Sequence, residues 1–148
     1  GRTELPGRRW ISLSSDGGHA WSPVTDLRYD SGEPFYSPSS FALLLRHTRT
    51  GKLYWFGNIT PTPPTGNLPR YPLYIAEMDE TVPALRKDTL TVIDDYDREP
   101  DSPKIQLSNF CVLENRETGE IELHMTRYGE RAAHWLHADA CRYTITLH

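Results

Sequence analysis

Four polar stretches of this sequence, residues 29–39, 58–72, 95–104 and 127–139, carry side chains that could hold a ligand or move a proton: Glu33, Tyr36, Arg70, Tyr71, Asp95, Asp97, Asp101, Arg127, Arg131, His134 and His137. A guanidinium such as that of Arg70 or Arg127 pairs in plane with both oxygens of a carboxylate, although a loop arginine also serves simply to pair with a nearby acid. Tyr36, just ahead of a strand, reads as a packing residue. The acidic run Asp94, Asp95, Asp97, Glu99 and Asp101 reads as a solvated loop or as closely spaced oxygen ligands of the kind calcium takes. His134 and His137 are half of a metal site without a third ligand nearby. Cys111 and Cys141 are the only cysteines and have no Cys-x-x-Cys spacing, so neither a thiol metal site nor a redox pair is expected. No metal and no cofactor are therefore predicted.

Strands and the turns between them hold these residues. Strand-like runs recur between turn signals at residues 10–13, 24–28, 40–46, 52–57, 73–78, 89–94, 105–114, 120–126 and 140–147, and no segment sustains a helical period. A composition with 37% hydrophobic residues, 12 prolines and 10 glycines suits many short strands and turns. Thr50-Gly51 and Thr118-Gly119 each close a hairpin between β-rich runs, a weak internal repeat of roughly 65 to 70 residues. The proline-rich segment 60–72 must be a loop, because proline cannot donate to a ladder. Cys111 and Cys141 fall on the first and third strands of one sheet, two spacings of about 4.8 Å apart, and are expected as buried free thiols rather than a disulfide. A net charge of -4 with no dense basic cluster argues against nucleic acid. The longest apolar run, 41–45, is far short of the roughly 20 residues of a membrane-spanning helix.

Ser14-Ser15-Asp16-Gly17-Gly18-His19-Ala20-Trp21 fits the pattern S-x-D-x-G-x-x-W at every specified position. An aspartate at a turn accepts bonds from its own downstream backbone, glycine supplies positive φ, and the tryptophan packs over the turn. This is the Asp box, built here by Ser14, Asp16, Gly18 and Trp21, and with it the chain resembles the sialidase-like (neuraminidase) Asp-box repeat family. Residues 70–80, with Arg70 and Tyr71, resemble that family's arginine-bearing strand; the turn at 78–81 is a degenerate box without glycine or tryptophan. Residues 107–130 resemble a late blade. The resemblance implies an all-β fold, an incomplete β-propeller of four-stranded antiparallel blades, divided into the end of one blade (8–30), a full blade (31–95) and three strands of a last blade (96–148).

In that family the Asp box lies away from the ligand face, which puts the four polar stretches on the opposite side. The resemblance further implies an exo-acting glycoside hydrolase whose arginines hold the carboxylate of a terminal acidic sugar, with Arg70, Tyr71 and Arg127 binding substrate and Tyr36 as nucleophile, activated by a glutamate and aided by an aspartate acid/base. No segment matches the family's N-terminal blade, so the catalytic set is incomplete on this chain. The alternatives are a non-catalytic carbohydrate-binding or structural propeller segment, or a propeller acting on another uronic-acid glycan. The implied partners are a glycan with an acidic sugar and a second copy or the remainder of a parent chain, which would pair with the open edges at 10–13 and 140–147. Proteins of this type are typically exported, which implies a secreted or periplasmic site, although no signal peptide is visible at residues 1–9.

Overall fold

A computed structural model describes residues 7–98, 101–129 and 137–148. These residues form an all-β protein of antiparallel sheets, with no α-helix among them and one 3-10 turn at Lys87–Thr89. Among the described residues no helix is long and apolar enough to cross a membrane. The first sheet pairs β1 (Trp10–Ile11) with β2 (Thr25–Asp26). The second runs β3 (Leu43–Arg46), β4 (Leu53–Asn58), β5 (Leu73–Asp79), and both β6 (Ala84–Leu85) and β7 (Thr91–Asp94) pair with β5. The third orders β8 (Cys111–Glu114), β9 (Ile121–Thr126) and β10 (Ala140–Ile145) with β9 in the centre.

The central sheet is apolar on both faces, and each face closes a different core. Tyr54, Phe56, Leu73 and Ile75 point toward the third sheet and meet Ile121, Leu123 and Met125 of β9. Trp55, Ala76 and Met78, one residue out of phase, point the other way and meet Leu27, Tyr29, Phe35 and Leu85. This is the two-residue side-chain period of a strand used twice. Gly57 makes room for it: a Cβ there would come within 2.4 Å of the Trp55 ring. On β9 the same period buries Ile121, Leu123 and Met125 and leaves Glu122 and His124 facing outward.

Both Thr-Gly turns close hairpins in the same way. His47 N–H donates to Lys52 O (2.9 Å) and Asn115 N–H to Glu120 O (2.8 Å), and Gly51 and Gly119 take φ of +70° and +79°. The two turns are also joined. Arg49 donates to the carbonyls of Thr118 (2.9 Å) and Arg116 (2.7 Å), buried His47 reaches Gly119 O (2.9 Å), and Thr48 N–H donates to Glu114 (2.8 Å). The turn at 14–21 has the geometry its residues predict. Asp16 accepts from Ala20 N–H (2.9 Å), Ser14 Oγ accepts from Gly18 N–H (2.7 Å), and Trp21 Nε1–H donates to Gly18 O (3.0 Å). Gly17 and Gly18 take φ of +73° and +95°.

Several expectations need correction: the runs 10–13, 24–28, 40–46 and 89–94 are strand only over Trp10–Ile11, Thr25–Asp26, Leu43–Arg46 and Thr91–Asp94. The run 105–114 is a strand only over Cys111–Glu114. Upstream of it Asn109 takes a positive φ (56°), and the backbone bonds to loops instead, Gln106 N–H to Tyr128 O and Leu107 N–H to Arg70 O. The two-residue strand Ala84–Leu85 is additional. Neither cysteine is buried: Cys111 is exposed and Cys141 half-buried, both free. Cys111 shares a cross-strand row with His124 and Arg142 on the outer face, whereas Cys141 lies one residue out of phase, beside Met125.

Candidate binding cleft

Three of the four polar stretches meet around one open cleft of about 690 Å³. Its lining comes from 29–36, from 59–62, from 69–74, from Leu90 and from Asp95 and Tyr96. The segment 37–40 is fixed by Arg9, which donates to Ser37 Oγ (2.9 Å), Pro38 O (2.9 Å) and Ser40 O (2.9 Å). Ser37 Oγ–H in turn donates to Asn58 O (2.7 Å). Fully buried Asn58 is the knot beneath the cleft: its Nδ2 donates to Pro72 O (3.1 Å) and Leu107 O (3.0 Å), and its Oδ1 accepts from Ser40 Oγ–H (2.7 Å). Tyr36 is tied across to the proline loop by Thr60 N–H donating to Tyr36 O (2.9 Å).

Aromatic rings dominate the lining. Tyr71 and Tyr96 stand with centroids 5.1 Å apart at 38°, and Tyr29 and Phe35 with centroids 5.1 Å apart at 43°. Tyr36 and Tyr74 complete the set, and the charged side chains among the described lining residues are Glu33 and Asp95. Burial pushes the Tyr29 phenol up to about 12, with the neighbouring Tyr74 and Glu33 adding to it. Burial also raises Tyr71 and Tyr74, reinforced by Tyr96 and Asp95 for the first and by Asp95 for the second. At neutral pH these phenols therefore stay protonated, as hydrogen-bond donors. Rings that stack, phenols that donate and carboxylates that accept are the chemistry that holds a sugar ring, which is apolar on its faces and hydroxylated at its edge.

The residues singled out in the sequence divide. Tyr36 and Tyr71 line this cleft, and so do Glu33 and Asp95. Arg70 does not: its Nε donates to Asn67 O (3.1 Å) and its Nη1 to Gln106 Oε1 (2.9 Å). Nor does Arg127. Its guanidinium pairs with Asp94 and with Asp101 (2.7 Å), and the Tyr143 hydroxyl donates to the same Asp94. Burial alone would lower the Arg127 pKa; bonds to Asp94, Tyr143 and Asp101 outweigh that and raise it. Asp101 also accepts from Asp97 N–H (2.9 Å), so much of the acidic run is a structural counter-charge. His137 is exposed, while Arg131, His134 and Glu99 lie outside the described residues. Asn58, Tyr74 and Tyr96 were not singled out; the one signal for the tyrosines was their place beside Arg70-Tyr71 and within the acidic run.

Comparison with known protein families, with curated proteins and with solved structures returns no match.

Proposed function

We propose that the chain is a segment of an Asp-box β-propeller whose cleft binds a glycan without itself completing a catalytic site. The observation that carries this reading is the gathering of Tyr36, Tyr71, Tyr74 and Tyr96 with Glu33 and Asp95 around one cleft. Support for the propeller comes from successive antiparallel sheets that pack face on face, from the repeated hairpin turns and from the turn at 14–21. Binding rather than acidic-sugar hydrolysis is favoured because Arg70 and Arg127 are engaged away from the cleft.

A glycan array with neutral, amino and acidic oligosaccharides tests the reading. The expected result is retained binding by the native chain and a loss of about 2 kcal/mol, roughly thirtyfold in affinity, in Tyr71→Ala, the amount associated with uncovering one stacked ring. Unchanged affinity in that variant would remove the cleft from the account.

A hydrolase of the sialidase kind is the second reading, favoured by Tyr36, Glu33 and Asp95 sharing the cleft in the combination of tyrosine, glutamate and aspartate that such enzymes use. Turnover of a fluorogenic sialoside that disappears in Tyr36→Phe would establish it over simple binding.

The propeller reading also predicts association. Among the described residues β1 pairs only with β2, and β10 only with β9, so each leaves one open edge. Such edges template pairing with another chain. Light scattering across a concentration series should show self-association, or association with the rest of a parent chain; a stable 17.0 kDa monomer at every concentration would contradict it.

A further inference from the structure

An ammonium group lies beside the cleft, on two of its lining residues. Lys87 Nζ lies 5.3 Å from the centroid of the Tyr29 ring and is clasped by the Glu33 carboxylate. A second cation, Arg8, covers the Tyr36 ring at 4.8 Å while donating to Phe35 O (2.7 Å). Two ring faces at one cleft are thus covered by cations of the chain itself, as expected from the negative potential over an aromatic face. The Lys87–Glu33 clasp is solvent-facing, with side chains 49% and 55% exposed, so it is weak and readily exchanged. Elsewhere in the cleft stands the exposed carboxylate of Asp95, which accepts from Tyr96 N–H (2.7 Å).

We infer that the Tyr29 ring and Glu33 form a subsite for the ammonium of an amino sugar, which displaces Lys87 on binding, and that the cleft discriminates against carboxylated sugars. The inference rests on the glycan-binding reading and adds its charge preference. A protonated sugar amine fits as Lys87 does, over the ring and against the carboxylate, and gains a charge-assisted hydrogen bond. A sugar carboxylate in the same place faces Glu33, and Asp95 adds a second negative charge elsewhere in the cleft.

Titration calorimetry with four β-1,4-linked tetrasaccharides that differ in their C2 and C6 substituents tests this: glucosamine with its amines protonated, N-acetylglucosamine, glucose and glucuronic acid. The glucosamine tetramer should bind about tenfold more tightly than the N-acetylated one. Lys87→Met, which removes the competing ammonium, should raise that affinity several-fold, and Glu33→Gln should bring the two tetramers within about twofold of each other. Both positions are exposed, and far-ultraviolet circular dichroism checks that the variants keep their sheets. Equal binding of all four tetramers, or a preference that survives in Glu33→Gln, would overturn the amine subsite while leaving glycan binding in place. Tightest binding of the glucuronic acid tetramer, lost in Arg8→Ala, would assign the cleft to acidic sugars instead. No binding of any tetramer would overturn the glycan-binding reading, and the subsite with it.

Discussion

Arg127→Ala should lower the unfolding free energy by about 3 kcal/mol, the cost of leaving buried carboxylates without their cation. Arg127 is 18% exposed at its side chain, Asp94 17% and Asp101 5%, so water replaces little of the lost pairing. The arginine joins the end of β7 and the loop after it to the strand end beyond β9, and Tyr143 of β10 shares Asp94. Losing it therefore leaves the Tyr143–Asp94 bond as the remaining polar tie between the two sheets in this cluster. Urea unfolding reads the effect as a fall in midpoint at constant slope. A loss below about 0.5 kcal/mol, the usual size of a surface substitution, would mean that the cluster is solvated and stabilises nothing. Arg127→Lys should recover only part of the loss, because an ammonium does not reproduce the planar fork between two carboxylates.

Asn58→Ala should be comparably severe, about 3 kcal/mol or more, for a different reason. The substitution removes the partner of two carbonyls, Leu107 O in a buried place and Pro72 O in a partly buried one, and of the buried Ser40 hydroxyl; each such buried group costs on the order of 1 to 3 kcal/mol. It should also weaken glycan binding in whatever fraction remains folded, because Pro72 anchors Tyr71 and the proline loop to the sheet. Thermal unfolding with and without ligand separates the two effects. Stability within about 0.5 kcal/mol of the native chain would show that the site relaxes or takes in water.

The sequence displayed the strands wherever a single period ran through them. Ile121, Leu123 and Met125 alternate with outward residues, and β9 was read within a residue of its ends. The turn at 14–21 was legible because its bonds are local: donors and acceptors lie within four residues of one another. Ala84–Leu85 was invisible because two residues carry no period. Residues 105–110 looked like strand because Ile105, Leu107 and Phe110 are apolar, but their backbone partners, Arg70 and Tyr128, come from distant loops. The site divides along the same line. Tyr71 and Arg70 are neighbours in sequence, yet one lines the cleft and the other is turned to Gln106, and no local rule distinguishes them. Likewise, the partners of Arg127 lie 33 and 26 residues away, so its structural employment could not be told from a free guanidinium.

Mapping amide chemical-shift changes while the tightest-binding oligosaccharide is titrated into the labelled chain shows whether a glycan binds in the tyrosine-lined cleft. The changes should cluster at residues 33–36, 59–62, 71–74 and 95–96, and saturate together at one affinity. Changes centred instead on the outer face of β8–β10, around Cys111, His124 and Arg142, would contradict it.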